Sequence, residues 1–167
     1  MITNKETIDK ETKKPKDGFI HLLLAHGYLM FFVAVILGVV ADMSLDLNLL
    51  ANYPYSDIGI FLIMFGTFLV FWAQSSSKKA GKVSMEESKS SLFAIGPYKY
   101  FRNPTYLGLF TMTLGLGLLV RSIFAILFVL IVNLFTKLIL VKREESLLEN
   151  KYGEIYKEYK SKVKNLL

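Results

Sequence analysis

TYLGLFTMTLGLGLLV (105–120), then RS (121–122), then IFAILFVLIVNLFTKLILV (123–141): two apolar runs of 16 and 19 residues are separated by two polar ones. About 20 apolar residues cross a hydrocarbon core of roughly 30 Å at 1.5 Å per residue. The second run reaches that length almost by itself, and the first gains from Pro104, which suits the first position of a helix. Arg121-Ser122 leaves room only for a tight turn, so residues 104–120 and 123–141 are predicted to form a helical hairpin in a bilayer. Its two far ends then lie side by side.

Two more apolar runs precede the hairpin, Phe19 to Ala41 and Ser56 to Gln74. The first follows Lys13, Lys14 and Lys16 and ends Val39-Val40-Ala41, as a secretory signal does, but the apolar part of a signal is only about 7–15 residues. It reads as a retained helix. With 53% hydrophobic residues, the chain is too apolar for an ordinary soluble domain. The predicted fold is all-α and polytopic: a single membrane domain over 1–167, with a cytoplasmic tail at 1–18 and four transmembrane helices at about 19–41, 56–74, 104–120 and 123–141. A cytoplasmic amphipathic C-terminal helix over 142–167 completes it, because Leu148, Tyr152, Ile155, Tyr159 and Val163 recur at helical spacing among charges, with a break near Gly153.

The formal charge of +6 avoids the apolar runs. Lys5, Lys10, Lys13, Lys14 and Lys16 lie before helix one; Lys78, Lys79, Lys82, Lys89, Lys99 and Arg102 lie between helices two and three; Lys142 and Arg143 follow helix four. The loop from Asp42 to Tyr55 has neither Lys nor Arg. Both termini are therefore expected in the cytoplasm, as four crossings require. This placement explains the positive charge without nucleic acid. The absence of cysteine excludes disulfides, thiolate metal sites and cysteine nucleophiles. His21 and His26, five residues apart, do not share a helical face, and no metal site is expected.

Helices in lipid approach one another through small residues. Gly59, Gly66 and Ala73 on helix two, Gly108, Thr111 and Gly115 on helix three, and Gly27, Ala34, Gly38 and Ala41 on helix one read as packing stripes. Ser75 to Ser91, rich in serine and lysine, reads as a flexible connector.

The chemistry is concentrated at the cytoplasmic mouth of the hairpin. Gly96-Pro97 fixes a turn, Arg102 offers a two-pronged grip for a carboxylate, and Pro104 opens a helix whose free amides favour an anion. Lys142-Arg143-Glu144-Glu145 ends helix four, so the hairpin carries Glu144 or Glu145 toward Arg102, Asn103 and the tyrosines. A guanidinium and a carboxylate in one pocket suit a zwitterion.

Gly96-Pro97-Tyr98, Arg102-Asn103-Pro104-x-Tyr106-x-Gly108 and Glu144-Glu145-x-x-Leu148, followed by Tyr152-Gly153-x-x-Tyr156-x-x-Tyr159, resemble the isoprenylcysteine carboxyl methyltransferase and phospholipid methyltransferase family. The resemblance covers about the last 75 residues and leaves out helices one and two. It implies an integral membrane enzyme that binds S-adenosylmethionine at the cytoplasmic end of the hairpin and methylates a lipid-borne or hydrophobic acceptor. Carried over, Gly96, Tyr98, Arg102, Asn103, Pro104, Tyr106, Gly108, Glu144 and Glu145 hold the cofactor, and Arg102, Asn103, Glu144 and Glu145 serve the reaction. Many members have histidine where Asn103 stands; asparagine orients but is no base near neutral pH.

Two other readings compete. An NADPH-dependent sterol-type membrane reductase has a partly similar arginine, proline and tyrosine pattern, but the paired glutamates repel a phosphate-rich cofactor. A non-catalytic membrane module that binds a lipid or a partner has the same helices without the chemistry. On that reading Arg102 belongs to a basic interfacial loop and the glutamates pair with Lys142 and Arg143.

Overall fold

The computed structural model describes residues 17–45, 50, 55–80 and 95–163, and every regular element among them is helical. Helix α1 runs Asp17–Leu45, α2 Ser56–Ala80, α3 Pro104–Leu119, α4 Ile123–Phe135, α5 Lys142–Tyr152 and α6 Glu154–Lys162. A 3-10 turn, Gly96–Lys99, precedes α3, and a π-helical segment, Thr136–Val141, joins α4 to α5 without a break. Three helices are long and apolar enough to cross a membrane: Ala25–Leu45, Ser56–Lys78 and Ile123–Tyr152. Helix α3 is apolar but has only 16 residues, a rise of about 24 Å. The tail 1–16, most of the loop after α1, the connector from 81 to 91 and residues 164–167 lie outside the described residues, together with Lys5, Lys10, Lys13, Lys14, Lys16, Lys82 and Lys89.

The hairpin turn closes as its sequence requires. Arg121 takes φ 57, its N–H donates to the Leu118 carbonyl and that of Ser122 to the Gly117 carbonyl, so the last carbonyls of α3 are satisfied. Ser122 then caps α4, its Oγ accepting from the Ala125 N–H at 3.0 Å.

Helix α2 packs along the whole of α3 in antiparallel fashion through paired glycines. A Cβ added to Gly66 would lie 2.5 Å from the Gly108 carbonyl oxygen, and one added to Gly59 2.8 Å from that of Gly115. Both pairs are seven residues apart on their helices, so the seam keeps one register. Helix α1 lies on the other side: Gly27 meets the ring of Tyr106, and Gly38 meets the backbone of α4 at Ala125. Phe31 and Ala34 of α1, Leu109 of α3 and Val129 of α4 form the buried core at this junction.

Two boundaries differ from the sequence reading. Helix α2 continues past Gln74 to Ala80, because Gly96 of the returning chain settles on Ser76 and Trp72 of α2 and leaves Ser76 buried. The segment after Val141 starts no separate helix: with no glycine or proline before Gly153, the charged residues extend the same rod to Tyr152, and the apolar surface ends where they begin. Gly153, at φ 60 and ψ −132, breaks it in a conformation open essentially to glycine alone, and α6 folds back along α5.

Candidate functional site

The polar ends of α3 and of the α4–α5 rod meet as the hairpin dictates. Gly96 adopts φ 58 and sits so close to Ser76 and Trp72 that any side chain there would collide with both; the 3-10 turn is thereby pinned on α2. Tyr98, in that turn, hydrogen-bonds through its side chain with Thr105 and Ser77, and burial pushes its phenol above the usual range. Pro104 occupies the first helical position and is fully buried. Asn103 precedes it as the N-cap without capping: no side-chain bond to the helix amides forms, and its Nδ2 is enclosed with no partner.

Arg102 Nη1 lies 3.0 Å from Glu145 Oε1, with the two side chains only 13% and 10% exposed. The pair is in ionic contact without hydrogen-bond alignment, since Nη1, Oε1 and Arg102 Nε all lack a hydrogen-bond partner. Glu145 is shared: Lys160 of α6 approaches its Oε2 to 3.1 Å and Glu149 to 2.7 Å. Tyr159 fastens the same helix, its hydroxyl donating to the Tyr98 carbonyl at 2.8 Å. Tyr156, 2% exposed, lies within the field of Glu145, Glu144 and Arg102, and burial raises its phenol. Helix α6 is therefore a cover over the ion pair.

Glu144 differs from its neighbour. Among the described residues no Lys or Arg pairs with it, its Oε2 is enclosed with no partner, and the Tyr106 hydroxyl beside it falls short of hydrogen-bond geometry. Desolvation is the main reason its carboxyl is pushed up to about 7, with the charge of Glu145 adding to it and Tyr106 opposing. Deeper along the rod, Thr136 is 1% exposed and its hydroxyl also has no partner.

Enclosed polar atoms are almost always hydrogen-bonded in folded proteins. Here donors (Arg102 Nε, Asn103 Nδ2) and an acceptor (Glu144 Oε2) are left over at the adjoining ends of α3 and the rod, a set able to complement both an anionic and a cationic group. Of the nine residues that the sequence singled out, Arg102, Asn103, Tyr106, Glu144 and Glu145 contribute polar side chains to this cluster. Gly96, Tyr98 and Pro104 frame it from the turn. Gly108 is committed elsewhere, its open side filled by Gly66 and Val70 of α2.

Sequence reasoning missed Lys160 and Thr136. Lys160 carried no signal, because it reaches Glu145 only after the reversal at Gly153. Thr136 had a faint one, a hydroxyl inside an apolar run.

A family model described as phospholipid methyltransferase matches residues 56–155. The match takes in α2, which the motif resemblance left out, and reaches into the first residues of α6; the glycine seam that ties α2 to α3 gives a physical reason for counting it with the site. No curated protein and no solved structure matches the chain.

Proposed function

We propose, on the premise that this chain belongs to the phospholipid methyltransferase family, that it is an S-adenosylmethionine-dependent methyltransferase acting at the cytoplasmic face of a membrane. On this reading four helices cross the bilayer, with α3 the shortest, and both termini are cytoplasmic. The acceptor is lipid-borne or hydrophobic, a phospholipid amine or an isoprenylcysteine-type carboxylate.

The observation that carries the reading is the set of unpartnered polar atoms between α3 and the α4–α5 rod. The methionine portion of the donor is an amino acid, and its two charges fit that set. Arg102 Nε and Asn103 Nδ2, beside the free amides of α3, suit its carboxylate, while Glu144 Oε2 suits its ammonium. Glu145 holds Arg102 in place and Lys160 holds Glu145, so the guanidinium is oriented before any ligand arrives. Tyr156 and Tyr159 keep water from the cluster. When bound, the donor supplies an already activated methyl group on its sulfonium, so the protein's part is chiefly alignment and exclusion of water.

Calorimetry with purified protein in detergent tests this. Saturable binding of S-adenosylmethionine, lost in Arg102→Ala, is the expected result. Binding of NADPH in its place would move the chain to the reductase reading, and binding of neither to the non-catalytic module.

A further inference from the structure

An apolar groove of about 400 Å³ opens between α1 and α4 on the outer surface of the bundle. Met30, Val33 and Leu37 form one wall, Phe128, Ile131 and Val132 the other, and Ala34 lies at its floor; no polar atom lines it. We propose that this groove holds a hydrocarbon chain of the lipid acceptor, with the acceptor's head group at the level of Glu144. The proposal rests on the methyltransferase reading for the word acceptor, and on the geometry for the lipid.

Three observations select a lipid chain over another helix. Transmembrane helices associate through small residues and interhelical hydrogen bonds. Two glycines of α1 are already used, Gly27 against Tyr106 and Gly38 against Ala125. The walls consist of long or branched side chains that stay partly open to the surroundings, Met30 at 37% and Ile131 at 45%, with nothing polar to pair. A flexible hydrocarbon complements such a surface, whereas a helix backbone cannot come close to it.

The second observation is length. Val132 and Phe128 precede Glu144 by 12 and 16 residues on one continuous rod. That is a rise of about 18 to 24 Å. Half of a bilayer, head group included, is about 20–22 Å thick. A lipid of one leaflet with its head group at the level of Glu144 therefore reaches the depth of the groove.

The third is continuity. Thr136, whose enclosed hydroxyl has no partner, lies on the rod between groove and cluster, one turn beyond Val132. It marks the depth at which the ester oxygens of such a lipid would pass.

The test uses the full chain in phosphatidylcholine nanodiscs doped with phosphatidylethanolamine that carries a photoreactive diazirine on one acyl chain. With the diazirine at the chain terminus, cross-links to Met30–Leu37 and Phe128–Val132 are expected to exceed those to lipid-facing α2 by about tenfold, a preference of about 1.4 kcal/mol. With the diazirine next to the ester, the cross-links move to the Thr136 level. Val33→Trp with Ile131→Trp should remove the terminal labelling and leave S-adenosylmethionine binding unchanged; Met64→Trp, on the exposed face of α2, should leave both unchanged. Labelling that is even over α1, α2 and α4, or that ignores the diazirine position, overturns the groove, as does exclusion of lipid by a second copy of the chain cross-linked through the same face. Methyl donor binding in the same nanodiscs separates the two readings: groove labelling without donor binding removes the enzyme and keeps the lipid site, and donor binding with even labelling does the reverse.

Discussion

The α2–α3 seam and the cluster at the polar ends of α3 and the α4–α5 rod share helix α3 but are finished to different degrees. Along the seam, glycine backbones lie against glycine backbones and nothing remains to be added. At the N-terminal end of the same helix, donors and acceptors are enclosed without partners. The contrast separates the part of α3 that the fold completes from the part that it leaves open. A closed interface sets the position of α3, and the rigidity obtained there holds in place polar groups that the fold itself does not satisfy.

The comparison breaks most visibly at the seam. Gly66→Leu places a side chain where the Gly108 carbonyl already stands and is expected to cost at least about 3 kcal/mol, read as loss of cooperative thermal unfolding in detergent. Retention of a normal melting temperature would mean that the seam is not close-packed. Glu145→Gln comes next. It leaves Arg102 and Lys160 without their shared carboxylate, and the largely buried setting of the Arg102 pair gives an expected loss of about 3 kcal/mol together with weaker donor binding. An unchanged α6, monitored by proteolysis, would show that Tyr159 and the Lys160–Glu149 pair hold the cover without Glu145.

Glu144 provides a pH test with a definite sign. Its carboxyl titrates at about 7 in the folded chain against 4.5 for the free side chain. The folded state thus keeps its proton longer than the unfolded state does. Stability from this group is complete below 4.5 and is lost as pH rises from 4.5 to 7, while a cationic ligand binds better over the same rise. Glu144→Gln should flatten both profiles; a profile unaltered by the substitution would place the titration elsewhere. The smallest effect is expected at the hairpin turn, where Arg121→Gly relieves a positive φ and should raise stability by about 0.5–1 kcal/mol.

The sequence made the glycine stripes and the two halves of the site legible, because both follow from spacing along single helices and from one short turn. Gly59 is found facing Gly115 and Gly66 facing Gly108, and Arg102 meets Glu145. Gly108 reads in two ways, as part of the packing stripe and as part of the cofactor motif, and its environment is the seam. What stayed hidden depends on tertiary return. Lys160 reaches Glu145 through the reversal at Gly153, and the extension of α2 to Ala80 depends on a turn twenty residues later in the chain settling on Ser76. The groove between α1 and α4 escaped notice because apolar runs look alike whether they face lipid, a neighbour or a void.

The π-helical segment Thr136–Val141 has a consequence of phase. An α-helix advances about 100° per residue, and a π turn accommodates one residue more than an α turn, so everything after Val141 is rotated by about one residue step relative to an uninterrupted helix. The segment works like a vernier between two dials, one that sets which side of α4 meets α1 and one that sets which way Glu144 and Glu145 point. Deleting a single residue from it would keep both faces intact and turn the second dial away from Arg102.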